Sequence, residues 1–259
     1  MKTILTYDAT FEGFLSCVFY AFEYKLLGAH IRKSSCAAEN FFDEIIFVAS
    51  EENKASRVWK GLAKYASTEG KNAIFKAFLS ELADIEDSLF HYIKHVFVER
   101  NKASQCIKNY RDPHILKIAQ TVKKVGREKH RMDAFVRFKL TKEELYFATI
   151  APDFNVLPLN AKHFKNRYAD QKWMIYDLKR NYGIYYDLFK VVTVTLTLDS
   201  NISAASCQDT FFTEEELQFQ ELWQQYFKST TIESRKNMKL HLQHVPRRYW
   251  KYLSEKALI

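Results

Sequence analysis

The hydrophobic period of this chain changes at Ala134, and that change bounds what it can fold into. From Ser50 to Arg131 apolar residues recur three and four apart, the spacing of helix faces. Val58, Leu62 and Tyr65 share one face. Ile74, Phe75, Phe78, Leu79 and Leu82 share the next, and Leu89, Phe90, Ile93, Val96 and Phe97 a third. Ser50 is placed to cap the first of these helices. Asp112-Pro113 supplies a cap followed by proline at a first helical position. The helix it opens turns Ile115, Ile118, Ala119, Val122 and Val125 inward and carries Lys117, Lys123, Lys124, Arg127 and Lys129 outward. Beyond Ala134 the period is two. Val136, Phe138 and Leu140 alternate with Phe135, Arg137 and Lys139, and Thr141 to Glu144 turns the chain into Leu145 to Ala151, which predicts a hairpin.

Further strands are expected at Trp173 to Lys179, Ile184 to Leu188 and Val191 to Leu198, with a turn at Asn181-Tyr182-Gly183 and a helix around Asn160 to Ala169. In the last strand valine and leucine face one way and threonine the other, as in an antiparallel sheet covered on one side. At the N-terminal end, Thr3 to Tyr7 reads as a strand and Thr10 as a cap. Phe11, Phe14, Leu15, Val18, Phe19, Phe22 and Leu26 then form a helix face closed by Gly28. Ile31 to Asn40 reads as a loop and Ile45 to Ala49 as a short strand. Thr213 with Glu216 forms a capping box ahead of Phe219, Leu222, Trp223, Tyr226 and Phe227. The predicted class is α+β, an antiparallel sheet of about five to seven strands packed by helices. Residues 1–259 read as a single domain, with a helical insertion or lobe over 50–131 and a C-terminal helical segment over 213–259.

The balance of 39 basic against 31 acidic residues, a net charge of +8, favours a polyanionic partner, either nucleic acid or an anionic surface. Cys17, Cys36, Cys106 and Cys207 form no C-x-x-C pair, so neither a zinc site, an iron–sulfur cluster nor a disulfide scaffold is expected. No cofactor is expected in this chain. The N-terminus lacks a signal-peptide core, and no run of about 20 apolar residues is present to span a membrane. A cytoplasmic setting without membrane contact is expected. Phosphate-cradling glycine loops and the motifs G-x-S-x-G, H-E-x-x-H and H-x-E with P-C-x-x-C are absent, so no enzyme class follows from motif.

Four stretches could carry function. Asn237 to Leu253 packs cations, imidazoles and aromatics more densely than any other. It suits either a nucleic acid or a solvated basic tail whose aromatics enter the core. Pro246 is expected to open a last short helix. Glu128-Lys129-His130-Arg131-Met132 closes a helix, where cations are stabilised by the dipole whether or not they bind phosphate. Asp153-Phe154-Asn155-Val156-Leu157-Pro158 reads as a turn first and a site second. His163 and Arg167 share a helix face. Arg167 with Asp170 suits gripping a phosphate, and equally an ion pair that anchors the helix to Asp177 or Arg180.

Five segments carry a family resemblance. Y-D-A-T-F-E-G-F-L (Tyr7 to Leu15), H-R-M-D-A-F-V-R-F (His130 to Phe138), P-D-F-N-V-L-P (Pro152 to Pro158), H-F-K-N-R-Y-A-D-Q-K-W-M-I-Y-D (His163 to Asp177) and R-K-N-M-K-L-H-L-Q-H-V-P-R-R-Y-W-K-Y-L (Arg235 to Leu253) occur in order along nearly the whole chain. They resemble an uncharacterised bacterial family of DNA-metabolism or DNA-repair proteins. Its gene usually lies beside one for a radical-SAM protein, and a related domain is found fused to uracil-DNA-glycosylase-type domains. Two positions depart from the pattern: Met238 stands where proline is expected, and Leu242 where a basic residue is expected.

The resemblance implies a DNA-binding accessory to a radical-SAM enzyme, which would itself carry the iron–sulfur cluster and S-adenosylmethionine. Base excision by this chain alone is not implied. The candidate DNA contacts are Arg131, Arg137, Arg167, Arg235, Lys239, His241, Gln243, His244, Arg247 and Arg248, with Tyr249 or Trp250 to stack on a base. A rival reading is a nuclease or base-processing hydrolase using His130, His163 and Asp153 or Asp170 as acid, base or metal ligand. A third is a protein-interaction module whose aromatics dock the radical-SAM partner.

Overall fold

The computed structural model describes residues 2–36, 43–100, 107–195, 212–230 and 237–256. It is an α+β structure in two compact units, Met1–Gly126 and Arg127–Ile259. Among the described residues no helix is long and apolar enough to cross a membrane.

The first unit is built on a three-stranded parallel sheet of β1 (Thr3–Tyr7), β2 (His30–Lys33) and β3 (Glu44–Phe47), in the order β2-β1-β3. Leu5 pairs with Ile31 on one side and Ile46 on the other. Helix α1 (Phe11–Glu23) connects β1 to β2. Its cap is Thr10, whose hydroxyl accepts the Gly13 N–H at 3.0 Å. Phe14, Leu15 and Val18 are buried, as their spacing predicts, with Phe11, Phe19, Phe22 and Leu26 partly buried beside them; Ala21 is buried as well.

The helix ends before Gly28. Lys25 takes the left-handed conformation (φ 56°), and the Leu26 N–H reaches back to the Ala21 carbonyl at 2.8 Å, a closure that needs no glycine. Residues 30–33 form a strand that takes in the first three residues of the stretch expected to be a loop, Ile31 to Lys33. Their polar side chains disguise it: Asp87 accepts from Ile31 N (3.1 Å), meets His30 Nδ1 at 2.9 Å and pairs with Arg32 at 2.8 Å.

Helices α2 (Glu52–Tyr65), α3 (Thr68–Phe78) and α4 (Ile85–Val98) complete this unit's core around Leu62, Ile74, Leu89 and Ile93. Ser50 does not cap α2; Glu51 stands at that position, and the Ser50 hydroxyl donates to Asp8 at 2.7 Å instead. Helix α5 (Pro113–Phe135) opens on Asp112, whose Oδ1 accepts the N–H groups of His114 and Ile115 at 2.8 and 3.4 Å. The unit boundary falls within α5.

The second unit carries a five-stranded sheet in the order β4-β5-β6-β7-β8: Lys139–Leu140, Tyr146–Ile150, Trp173–Asp177, Tyr182–Tyr186 and Val191–Val194. Its strand pairs are antiparallel except β5 and β6, which run parallel, so the sheet is mixed. The connection between those two carries α6 (Leu157–Arg167), as a parallel crossover requires. The expected hairpin survives only as its short outer part. Helix α5 continues to Phe135, and β4 begins at Lys139.

Trp173 is fully buried among Phe138, Phe164 and Tyr186, and its indole N–H donates to the Tyr168 carbonyl at 3.2 Å. β8 ends at Val194; most of the remaining residues of the longer strand expected there lie outside the described residues. Helices α7 (Glu214–Thr230) and α8 (Met238–His244) follow, then a 3-10 turn over Arg247–Tyr252 that begins just after Pro246. Half of the expected capping box ahead of α7 forms: Glu216 N bonds the Thr213 hydroxyl at 3.2 Å, but the Glu216 carboxylate accepts from Leu140 N (3.1 Å) and the Thr213 N–H donates to the Leu140 carbonyl (3.3 Å).

Asn181 supplies the left-handed residue of the β6–β7 turn (φ 54°), whereas Gly183 lies inside β7. A Cβ at Gly183 would sit 2.7 Å from the Ile175 carbonyl oxygen, and backbone on a neighbouring strand cannot yield cheaply. Gly183→Ala is therefore expected to destabilise the protein by about 1–3 kcal/mol in chemical denaturation. Gly28→Ala, with nothing within 4 Å of the new methyl, should change stability by less than about 0.5 kcal/mol.

Candidate nucleic-acid interface

The terminal stretch is fastened to its unit through one buried carboxylate. Glu128 continues the inward stripe of α5 between Val125 and Met132 and is 2% exposed. A carboxylate at such depth must be paired and hydrogen-bonded. The Tyr249 hydroxyl donates to Glu128 Oε1 at 2.5 Å, and the Asp153 backbone N–H donates to the same oxygen at 2.9 Å. Arg248 approaches Oε2 at 3.3 Å and Arg131 at 3.6 Å. Tyr249 is itself buried. Burial first, and the hydrogen bond to Glu128 second, raise its pKa well above the ordinary tyrosine value.

The loop after β5 is held in turn. Asp177 is fully buried and pairs with Arg180 at 2.8 Å. Arg180 donates to the carbonyls of Pro152 and Asp153 at 3.2 and 3.1 Å. The Asp153 carboxylate then reaches Arg248 at 2.6 Å. A second clamp lies further along the segment, where Arg137 grips Glu255 through Nη2 (2.7 Å) and Nε (3.3 Å).

These fastenings sort the candidate residues. Tyr249 belongs to the core, and Arg248 is engaged by two carboxylates. Arg137 is a clamp. Trp250 is half-buried; its indole N–H donates to the Val245 carbonyl at 3.0 Å, while Arg247 and Lys256 lie 6.0 and 5.6 Å from its ring centre. His241 packs near the same ring, 5.8 Å between centres. Burial and the neighbouring Lys256 lower its pKa. Lys239, Gln243, His244, Arg247 and Lys251 are exposed. Arg235 lies outside the described residues.

Elsewhere in the unit, His130, Arg167 and Asp170 are exposed and His163 is half-buried, its ring against Phe164. Arg167 packs over Tyr168, 5.7 Å from the ring centre, and forms no ion pair with Asp170. Asp177 and Arg180, the expected anchors of that helix, pair with each other instead. Among the described residues, His130, His163, Asp153 and Asp170 contribute no trio of donors close enough to hold a metal ion.

The model of the family described as a domain of unknown function, DUF4130, matches residues 83–255, more than half of the chain. The chain belongs to this family. No curated protein and no solved structure matches it. The DUF4130 region contains Glu128, Asp153, Arg180, Arg248 and Tyr249, so the whole fastening network falls within it.

Two features escape the sequence reading. Glu128 occupies a helix-face position otherwise filled by apolar residues, and an acid on an apolar stripe signals a buried pair. The second is His91 and His95, four apart on α4, beside Asp112. The i, i+4 spacing was the available signal, and its third member comes from a different helix end.

Removing the hydroxyl in Tyr249→Phe leaves Glu128 short of a donor. A loss of about 1–3 kcal/mol is expected on denaturation. At Glu255, burial acts to raise the pKa, but the hydrogen bonds from Arg137 outweigh it and hold the carboxyl below its ordinary range. A depressed folded-state pKa contributes stability above the unfolded value, about 4.3, and that contribution is lost as pH falls through the folded value. Proteolysis of the terminal segment should therefore increase on acidification below about pH 4.3. The Arg137→Ala protein should show this susceptibility at neutral pH already.

Proposed function

We propose that the chain is a DNA-binding accessory protein of DNA repair or DNA metabolism, acting with a radical-SAM enzyme on damaged or modified DNA. The observation that carries the binding part is the division of labour in the terminal segment. Tyr249, Arg248 and Glu255 are used to fasten it, which leaves Lys239, Arg247 and Lys251 exposed on a held scaffold rather than a loose tail. The net charge of +8 supports the same reading through long-range attraction to a polyanion. With Tyr249 in the core, base stacking falls to Trp250, whose ring is flanked by Arg247. The radical-SAM partner rests on the resemblance; that enzyme would supply the iron–sulfur cluster and S-adenosylmethionine.

One observation favours a protein-docking role for α7. Phe219, Leu222, Trp223 and Tyr226 share a face and are between 46% and 66% exposed. Monomeric proteins rarely leave such a row uncovered. Co-purification with the radical-SAM partner that fails for Leu222→Ala but survives Arg247→Ala would assign partner docking to this face.

Binding to single- and double-stranded DNA should be measured across salt. A clear fall of affinity with salt is expected. Each of Lys239→Ala, Arg247→Ala and Lys251→Ala should reduce the log–log slope by about 0.7–0.9 if its cation meets a phosphate. A flat salt dependence, or no binding to either form, overturns the reading.

A further inference from the structure

We propose that His91, His95 and Asp112 form a binding site for a divalent transition-metal ion of the zinc type. One ligand atom from each lies within 4.8 Å of the other two, and among the described residues no other such trio of histidine, cysteine or acidic side chains exists. His91 and His95 stand on one face of α4, their ring centres 5.0 Å apart. Asp112 enters from the start of α5, with Oδ2 2.8 Å from His91 Nε2.

Local structure prepares two of the donors. The capping bonds of Asp112 Oδ1 to the backbone of His114 and Ile115 fix the carboxylate plane and leave Oδ2 turned to His91. The His114 ring stacks on His91 at 4.3 Å between centres and is itself placed by Ser88, whose hydroxyl is 3.3 Å from His114 Nδ1. Contacts of this kind hold metal-ligating side chains in orientation. His95 is exposed and can swing. Donors bound about 2.0–2.2 Å from a tetrahedral zinc stand about 3.5 Å apart; on binding, His91 Nε2 and Asp112 Oδ2, 2.8 Å apart as a hydrogen-bonded pair, part by about 0.7 Å as the ion displaces the shared proton, and His95 swings in.

Two imidazoles and one carboxylate suit zinc and its neighbours rather than magnesium or calcium, which prefer oxygen alone. Three protein donors leave a coordination position for water, as in open zinc sites. The site lies in the first unit and uses none of the residues assigned to DNA contact. Cysteine spacing could not disclose it, because no cysteine takes part.

The full-length protein, stripped with a chelator and desalted, should be titrated calorimetrically with zinc chloride alone, and separately with cobalt(II) while visible absorption is recorded. Wild type is expected to take up one equivalent that both His95→Ala and Asp112→Asn lose, with affinity weakened about tenfold or more, a change of about 1.4 kcal/mol. Cobalt should give d–d bands that the two variants lack. His95 is exposed, so its variant should melt with the metal-free wild type. Asn at 112 keeps an oxygen for the helix cap. Absence of zinc uptake by wild type, or uptake by both variants equal to that of wild type, overturns the site.

Discussion

A carboxylate buried on an apolar helix stripe sets the terms for the second unit. Left alone, Glu128 would cost several kcal/mol, more than a marginally stable domain can spare. Its donors come from three separated places: the loop after β5, the neighbouring turn of α5, and the terminal 3-10 turn. Each place is consequently held to the other two. The terminal segment is part of the folded unit because its Tyr249 hydroxyl and Arg248 guanidinium are needed there. Replacing either leaves an under-satisfied charge in the interior, a larger penalty than the loss of one surface bond.

That constraint also decides which cations are available. Arg247 and Arg248 are adjacent and chemically identical, yet their environments differ. Arg248 lies between Glu128 and Asp153, so a phosphate would have to displace two carboxylates. Arg247 lies over Trp250 and is exposed. A phosphate approaching it meets a cation already backed by an aromatic face. The fastening of one arginine thus presents the other, and the binding proposal depends on this asymmetry more than on the number of basic residues.

Much of the architecture was legible in the periodicity, and its failures have physical causes. The Phe14, Leu15, Val18 stripe and the Thr10 cap fold as read because local rules govern them, whereas the Glu216 half of the expected capping box is drawn away to Leu140 N. β2 was missed because His30 and Arg32 pair with Asp87, a residue more than fifty positions away. The parallel pairing of β5 with β6 could not be read from Val191 to Val194, since alternation within a strand says nothing about the direction of a different pair. At the candidate interface, the residues were legible as a group but their roles were not. Tyr249 and Trp250 are neighbours of similar character, and only the position of Glu128 sends the first to the core.

The two units pose different functional questions. The DUF4130 match begins at residue 83, inside the first unit, and continues through the second, so it includes α4 and α5 but not the β2-β1-β3 sheet. The His91, His95 and Asp112 trio and the Glu128 network both lie within the match. They are built on the same principle: an acid on α5 or at its cap is oriented by backbone N–H groups and then meets side chains from elsewhere. At Glu128 the incoming groups are an arginine and a phenol, which satisfy the charge and close the site. At Asp112 the incoming group is the His91 imidazole, with the exposed His95 within 4.8 Å, so the carboxylate is satisfied only in part and donor capacity is retained for a cation. That difference in side-chain chemistry makes the first network a fastening and the second a ligand site.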